Sequence, residues 1–546
     1  MKNSLDEIMN KIYNKYSIQS WYAFLGTVII GIITHLFILT NELFNHDDIG
    51  AFFEVSGPRT LRWLQQLTCD FVSPWGAPVM TGSLTILLIA ISSLLVVDTF
   101  QITSKSLAVI VGGFLVSSPV VACFMSYVEG SYMFVVGLPF AVLAVRWYEK
   151  GIRGYIAAVV CIAVAIAGYQ SLLAVVVACI YIKMFCALLN EEYDLKEWFM
   201  DLGKAFSLLI VGLLGYILST RVFAFINSDV KNTLNVGLTT SALTKSGYEA
   251  QTETGTLYIS NIVESFVTSI KYFIKYHFNI FFGGANVSPA SKFCVIANIV
   301  VLLCVSILIA YNIYKTKSWM RKFLLLAVFV ASPVCLNCTE ILLNGKAHET
   351  MQMMYSIVFT AVWIICVVEK EKQFKIQWRN IITNVVFLML IVHLYYNIQI
   401  TNDSYMRMNS MYETAYSEMT RIIDRVEQLP EWQEGNRKLY FDFKDRGGYL
   451  INENYQAFTQ MDDYIDMGWL GVMGTGVYRF WSNNNVSKYV LAYFGLDFEI
   501  PTEEEIAEIM KTEGYAQLEM FPSVDAIKVI NGIVVVRMDD SISGEE

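Results

Sequence analysis

The sequence predicts a polytopic α-helical membrane protein with about eleven transmembrane helices, followed by a C-terminal α/β domain. Of the 546 residues, 55% are hydrophobic and 16% are charged, whereas charged residues make up about 25% of a typical soluble domain. Apolar runs of roughly 18 or more residues recur over about the first 400 positions, and each is long enough to cross the hydrocarbon layer as a helix. Strand and turn signals are found instead near the end of the chain. This composition places the first part of the chain in a bilayer.

Short loops separate the predicted crossings. These cover residues 21–42, 77–100, 105–127, 132–148, 153–167, 170–187, 205–226, 293–314, 323–343, 351–368 and 380–400. We divide the apolar stretch from Gly154 to Phe185 at Gly168-Tyr169-Gln170, because it is too long for one crossing and these residues can form a tight turn. A single tilted or re-entrant element here would move every later loop to the opposite side.

The loop charges support this division. With a cytoplasmic N-terminus, Lys and Arg collect in the inner loops, while the short outer loops hold Arg59, Arg62 and Lys346 alone. This asymmetry is typical of a multi-pass protein of the cell membrane. The polar segment Met1–Ser20 and the long apolar run after it predict a signal anchor rather than a cleaved signal peptide. The C-terminal domain is therefore predicted to be extracytoplasmic.

The transmembrane domain is predicted to span residues 1–400, with large outer loops at 42–76 and 227–292. The first loop contains an amphipathic segment, 60–72, which is predicted to lie flat on the membrane. Its apolar face would carry Leu64 and Leu67, and its polar face Gln65. The second loop becomes aromatic from Phe266 to Phe282.

Residues 401–546 are predicted to form the extracytoplasmic α/β domain. An amphipathic helix ends at Pro430, and 438–443 resembles a strand. Thr502 and Glu505 form a capping box, and Asn531-Gly532 is a strong signal for a two-residue hairpin. The net charge of −10 is carried largely by the C-terminal third and argues against a nucleic-acid partner.

Two adjacent carboxylates, Asp47 and Asp48, follow the outer end of the first crossing. Carboxylates beside a bilayer are costly to desolvate, and they are useful where a hydroxyl must be deprotonated or a cation held. The alternative is a solvated loop or the cap of a short helix. Spacing alone leaves both interpretations open.

Further polar residues fall at predicted outer ends of helices. Arg59 and Arg62 can grip a phosphate in a bidentate manner, or can simply reach lipid headgroups. The remaining candidates for substrate binding are His46, Glu129, Arg221, Glu340, Lys346 and His348. Each of them could equally be a solvated residue near the interface.

The sequence predicts no metal site and no cofactor, because no set of His, Cys and carboxylates has metal-ligand spacing and no glycine-rich phosphate loop follows a strand. A requirement for a divalent cation cannot be inferred from the residues alone. His35 and His393 lie inside predicted crossings and are interpreted as hydrogen-bonded packing residues. A lipid-linked sugar donor is thus favoured over a nucleotide sugar.

The run 42–50, followed by Ser56-Gly57-Pro58-Arg59 and Arg62-Trp63-Leu64, resembles the start of the bacterial Gtr type II glucosyltransferases. Gly168-Tyr169-Gln170-Ser171 and Met520-Phe521-Pro522-Ser523 are similar to further parts of that family. The resemblance implies a GT-C-like membrane glycosyltransferase that uses polyprenyl-phosphate sugars. It also implies that Asp47 or Asp48 acts on the acceptor, without distinguishing between them.

The resemblance implies transfer of a hexose, with glucose indicated by the family, from a polyprenyl phosphate to a cell-surface glycan outside the cytoplasm. The expected partners are therefore the lipid-linked donor, the glycan acceptor and membrane lipid. Two alternatives remain: a transporter or flippase, whose charges would line a route at the midplane, and a polysaccharide polymerase of the same topology. The clustering of acidic candidates at outer helix ends argues against a transporter.

Overall fold

The computed structural model describes residues 5–41, 43, 62–68, 77–128, 130–226, 259–282, 289–342, 345, 351–371, 377–442 and 483–538. The helices of the first part of the chain are α1 (Leu5–Lys15), α2 (Ile18–Thr40), α3 (Trp63–Thr68), α4 (Pro78–Phe100), α5 (Lys105–Ser117), α6 (Pro119–Met125), α7 (Leu138–Trp147), α8 (Gly151–Gly168), α9 (Leu172–Leu189), α10 (Leu195–Ile226), α11 (Ile259–Phe282), α12 (Pro289–Lys315), α13 (Trp319–Val330), α14 (Ser332–Leu336), α15 (Thr339–Leu342) and α16 (Phe359–Glu371). Two 3-10 turns precede α7 and α16, at Ser131–Phe134 and Met351–Val358.

Among the described residues, eight helices are long and apolar enough to cross a membrane. They are Ile18–Thr40, Pro78–Phe100, Gly151–Gly168, Leu172–Leu189, Leu195–Phe223, Phe293–Lys315, Met353–Lys370 and Arg379–Met406. The pair α5 and α6 adds a ninth if it is one span broken by a bend of 48°. The bend falls at Ser118, whose backbone is held extended because Pro119 follows it. The chain is thus a polytopic helical membrane protein.

Besides this bend in the span predicted at 105–127, the structure differs from the predicted set of eleven spans at two further places. The segment predicted at 132–148 begins with a 3-10 turn and becomes α-helical only at Leu138, and the segment predicted at 323–343 is divided into α13, α14 and α15. A proline stands at the start of α7 and of α14. The proline ring is tolerated in the first turn of a helix, but it prevents a helix from continuing through that position from the preceding residues. The division at Gly168-Tyr169-Gln170 is confirmed, because α8 ends at Gly168 and α9 begins at Leu172.

Small residues bring α2 against α4 and α5. A Cβ atom on Gly112 would lie 2.4 Å from Thr27 Oγ1 and 2.5 Å from the carbonyl oxygen of Ala23. The same Thr27 hydroxyl lies 2.7 Å from Ser93 Oγ on α4. Close backbone approach through glycine and interhelical hydroxyl contacts are typical of helices packed inside a membrane.

Charged groups tie the helices together at the end of the bundle predicted to be cytoplasmic. Arg146 pairs with Asp98, and Lys183 pairs with Glu149. Arg321 donates to the carbonyl oxygens of Asn190 and Tyr193, beyond the last turn of α9. These contacts fix the ends of the helices on this side of the bundle.

The last described part of the chain begins with α17 (Gln377–Glu427), a helix of 51 residues. This helix runs from the bundle into residues 401–546, which we call the tail. It is followed by α18 (Pro430–Gln433), β1 (Leu439–Asp442), α19 (Asn483–Phe494), α20 (Glu503–Ile509), α21 (Glu513–Ala516), β2 (Ile527–Ile530) and β3 (Ile533–Arg537). The strands form one sheet in the order β1-β3-β2, parallel between β1 and β3 and antiparallel between β3 and β2.

The local predictions for the tail are confirmed by its hydrogen bonds. Thr502 and Glu505 form the capping box, and β2 and β3 form the hairpin around Asn531-Gly532, with φ of 53° and 75° at these two residues. Positive φ at both central residues is what a type I′ turn requires. Apolar residues of α17, α19 and the sheet pack into one core, which also includes Val128 from the loop after α6.

One buried carboxyl of α17 makes the stability of the protein depend on pH. Glu418 on α17 is 3% exposed, and burial raises the pKa of its carboxyl from 4.5 to about 7. A folded-state pKa above the unfolded one means that stability is complete below about pH 4.5 and is lost as the pH rises through 7. The shift corresponds to at most about 3 kcal/mol.

We therefore expect Glu418→Gln to raise the thermal unfolding midpoint of the full-length protein at pH 8 and to leave it nearly unchanged at pH 4.5. Unfolding in detergent at several pH values measures this difference. Glu427→Gln, at an exposed position of the same helix, is the control and should be neutral at both pH values. Equal pH slopes for the wild type and Glu418→Gln would contradict the prediction.

Candidate functional site

Arg62 lies against the turn between α8 and α9. Its Nε atom donates to Gln170 Oε1 at 2.9 Å, and its guanidinium lies 4.6 Å from the centre of the Tyr169 ring. Tyr169 ends α8 with an extended backbone, φ −153° and ψ 123°. The chain reversal therefore presents a ring face and an amide oxygen side by side, and together they set the plane of the guanidinium.

The short helix α3 is held by neighbours on several elements. Trp63 Nε1 donates to Ser219 Oγ on α10 at 3.1 Å. Gln65 Nε2 donates to the carbonyl oxygen of Met133 at 3.3 Å, and the Tyr132 hydroxyl donates to the carbonyl oxygen of Thr68. These contacts anchor the backbone that carries Arg62 to the helical bundle.

The predicted orientation of this segment is wrong for Gln65, which was assigned to the polar outer face and is 3% exposed. Leu67, assigned to the apolar face that lies on the membrane, is 55% exposed, and this exposure is compatible with contact with lipid. The Gln65 amide can be buried because a backbone carbonyl of the 3-10 turn accepts its hydrogen bond. Hydrophobic periodicity could not show this, since the partner is 68 residues away.

Arg62 carries a positive charge that no carboxylate balances within the described part of the chain. Its one hydrogen bond there goes to the neutral amide of Gln170, and no salt bridge of a described residue involves it. The side chain is only partly exposed. A guanidinium oriented by neutral groups retains donors and charge for an anion such as a phosphate.

Glu340 lies in a different part of the bundle. It is completely buried on α15, which packs against α11. Beside it, Asn337 Nδ2 donates to the carbonyl oxygen of Ser269 at 3.1 Å, and Ser269 Oγ donates to the carbonyl oxygen of Asn337 at 2.8 Å. The interpretation of Glu340 as a solvated residue at the interface is therefore wrong, because protein surrounds the carboxyl.

Arg221 is placed on the other side of α10 from the α3 contacts. Ser219 and Phe223 on that helix contact Trp63, and Arg221 is two residues from each, which is about 200° around the helix. Its side chain is exposed, next to the exposed Val222. The structure thus does not bring Arg221 together with Arg62, and its role in binding stays a prediction.

The other candidates lie outside the described residues: His46, Asp47, Asp48, Arg59, Glu129, Lys346 and His348. Val128, before Glu129, and Ser131, two residues after it, both contact α4. Thr81 Oγ1 donates to the carbonyl oxygen of Val128 at 2.7 Å, and Thr85 Oγ1 lies 2.9 Å from Ser131 Oγ. This loop is therefore anchored immediately before and after position 129.

The interpretation of His35 and His393 as hydrogen-bonded packing residues is confirmed. His35 is a packing residue as predicted, with Nδ1 2.7 Å from the Tyr405 hydroxyl and Nε2 2.8 Å from the carbonyl oxygen of Val116. His393 packs edge-on against Phe114, with 5.0 Å between the ring centres, and hydrogen-bonds with Asn397. It also borders a cavity, together with His277 on α11. Within the described ranges, no group of three or more His, Cys, Asp or Glu could hold a metal ion.

Sequence reasoning missed α11, because its aromatic residues were assigned to a loop. The signal was present: Ser265, Ser269, Tyr272 and Tyr276 are spaced by three or four residues, as on one face of a helix. Ser269 and Tyr276 make interhelical hydrogen bonds, to Asn337 and Ser118. The helix thus belongs to the packed bundle.

Comparison with known protein families identifies a family for this chain. The model described as Glucosyl transferase GtrII matches residues 36–365, which is more than half of the chain. The matched range includes Arg62, Tyr169, Gln170 and Glu340, and it ends before α17. A comparison with curated proteins finds no match.

Proposed function

The chain belongs to the Glucosyl transferase GtrII family and is a membrane glycosyltransferase, and from this premise we propose that it moves glucose from a polyprenyl phosphate to a cell-surface glycan. The observation that carries the proposal is the contact between Arg62 and Gln170, 108 residues apart in sequence. Both residues belong to motifs on which the family resemblance rests. A guanidinium held there by neutral groups is suited to the phosphate of such a donor.

The proposed reaction is a single displacement at the anomeric carbon. The acceptor hydroxyl gives its proton to Asp47 or Asp48 as its oxygen forms the new bond to that carbon. The bond from the anomeric carbon to the phosphate oxygen breaks, and polyprenyl phosphate leaves with the bonding electrons. Arg62, together with Arg59, would stabilise the charge that develops on this leaving group.

We propose a topology of eleven crossings for this chemistry. The broken segments around α7 and α13 to α15 would each cross in addition to the eight long helices and the bent pair α5–α6. The N-terminus is then cytoplasmic, and the candidate site and the tail lie outside, the tail as an α/β domain that contacts the acceptor. His46, Glu129, Arg221, Glu340, Lys346 and His348 stay predicted contributors to substrate binding.

The function is tested with purified protein, polyprenyl-phosphoglucose labelled in the sugar, and candidate surface glycans. We expect label to appear in a glycan, and we expect none when UDP-glucose replaces the lipid donor. Failure of transfer to every acceptor, with the protein shown to be folded, would contradict the proposal. Movement of the intact donor across a vesicle membrane without transfer would indicate a flippase instead.

Arg62 gives a sharper test of phosphate binding. We expect Arg62→Ala to lower kcat/KM for the lipid donor about 100-fold, as the loss of one donor to a developing charge does elsewhere. Arg62→Lys should recover part of this, because the charge returns without the planar fork. Gln170→Ala should have a smaller effect, since it frees the guanidinium to rotate. Initial rates at varied donor concentration measure all three.

The control for these variants is Arg153→Ala, which removes an exposed guanidinium from the opposite end of α8. It should leave kcat/KM unchanged. Equal losses for Arg153→Ala and Arg62→Ala would indicate a general effect of charge on insertion. Full activity of Arg62→Ala would remove this residue from the mechanism.

A further inference from the structure

A cavity of about 300 Å³ lies within the helical bundle. It is bordered by α11, α12, α16 and α17, by the end of α5, and by the break between α13 and α14. Most of its lining is apolar or aromatic, and none of the lining residues is charged. A cavity of this size holds a sizeable apolar group.

The polar groups in its wall are bonded mainly to one another. Ser118 Oγ lies 2.9 Å from the Tyr276 hydroxyl, Asn298 Nδ2 donates to the carbonyl oxygen of His277 at 2.7 Å, and His277 Nε2 lies 3.3 Å from Thr360 Oγ1. Groups paired in this way do not need water or a charged ligand. The occupant is therefore expected to be apolar.

The cavity meets the outer surface of the bundle at apolar residues. Ile274, Leu302 and Val330 line it, and they are 39%, 45% and 67% exposed. Leu302 stands well inside the span Phe293–Lys315, at a depth where a helix of a polytopic protein faces hydrocarbon. An occupant would therefore enter sideways from the bilayer, which identifies it as a lipid chain.

Arg62 and the cavity are connected by a row of packed rings. Tyr169, under the guanidinium, packs on Phe134 at 5.0 Å, Phe134 on Phe124 at 5.2 Å, and Phe124 on Tyr355 at 5.6 Å. Ile357 and Val358 of the cavity wall lie two and three residues after Tyr355. A phosphate at Arg62 and a chain in the cavity are thus a few ring diameters apart.

We propose that this cavity binds the isoprenoid chain of the lipid donor, entering between α11, α12 and α13. The proposal rests on the proposed function for the identity of that lipid. It adds a site for the chain that is separate from the phosphate site at Arg62. It also gives a role to α11, whose His277 and Tyr276 form part of the wall.

The test uses polyprenyl phosphate that carries a diazirine in its chain and no sugar, so that binding is measured without transfer. After illumination, we expect labelled peptides to include residues 273–278 and 357–364. Unlabelled polyprenyl phosphate should compete, and phosphatidylglycerol should not. Equal competition by both lipids would show a general lipid site, and labelling confined to other helices would overturn the proposal.

Two variants narrow the cavity: Ala361→Phe inside it and Leu302→Trp at its partly exposed mouth. Each should reduce labelling about tenfold. The control is Leu214→Trp, at a 59% exposed position of α10 that does not line the cavity, and its labelling should equal that of the wild type. Unchanged labelling of a folded Leu302→Trp protein would contradict the proposal.

Activity measurements distinguish a failure of the chain-binding site from a failure of the proposed transferase function. Both cavity variants should raise KM about tenfold for polyprenyl-phosphoglucose and leave KM unchanged for a donor of two isoprene units, which is too short to fill the cavity. If the wild type transfers glucose and the cavity variants have a normal KM for the long donor, the cavity does not bind the isoprenoid chain, but the proposed function stands. If the wild type binds the probe in the cavity but transfers no glucose, the proposed function is contradicted, but the binding site for the chain stands.

Discussion

Replacing both Asp47 and Asp48 with Asn is expected to lower kcat by about 100-fold to 10,000-fold, the range in which general-base catalysis contributes. Asn keeps the size of the side chain and removes its ability to take the proton of the acceptor hydroxyl. The KM for the lipid donor should change little, because the phosphate is assigned to Arg59 and Arg62. Initial rates of glucose transfer, with donor and acceptor varied separately, measure both constants.

The single variants decide which aspartate is the base. The variant that retains the base should keep most of the activity, and the other should match the double variant. Asp194→Asn, at an exposed position after α9, is the control and should be fully active. Transfer at the wild-type rate by the double variant would remove both residues from the mechanism while leaving the family assignment intact.

Gly112→Leu is expected to prevent the helical bundle from assembling. Even a single Cβ atom at this position would lie 2.5 Å from the backbone oxygen of Ala23, which no rotation of a side chain can relieve. A leucine would force α2 and α5 apart, and overpacking of this kind costs about 3 kcal/mol or more. The hydroxyl contact between Thr27 and Ser93 would be lost with it.

The measurement is size-exclusion chromatography in detergent, followed by the unfolding midpoint of any monodisperse protein. We expect little monodisperse Gly112→Leu protein, and a lowered midpoint for Gly112→Ala. Gly203→Ala is the matched control, because a Cβ atom there would meet nothing within 4 Å. It should be neutral or stabilising by up to about 1 kcal/mol, since alanine favours a helix more than glycine. A normal midpoint for Gly112→Leu would show that the two helices can separate.

The fold could be predicted from the sequence wherever one physical rule dominated. Hydrocarbon thickness sets the length of a membrane span, so the eight long helices follow from apolar run length. The turn after Gly168 and the hairpin at Asn531-Gly532 follow from backbone geometry that few residues permit. Apolar run length did not predict α13 to α15 correctly, because Pro333 begins a new helix inside an apolar run that has no break in hydropathy.

The candidate site was only partly predictable, because its contacts join residues distant in sequence. Arg62 could be identified as a cation near the membrane surface, but its pairing with Gln170 and Tyr169 depends on how α3 packs. The burial of Gln65 and Glu340 similarly depends on neighbours from other helices. Helix α11 was missed because its polar and aromatic residues pack against protein, so hydropathy did not distinguish it from a loop.

The uninterrupted course of α17 has a mechanical consequence. An α-helix of 51 residues is about 76 Å long, and α17 carries His393 beside the cavity at one level and the buried Glu418 at another. A rod of this kind transmits torque: twisting the tail about the helix axis also turns the segment that borders the cavity. Binding of a bulky polymer to the sheet would therefore rotate the part of α17 that borders the cavity.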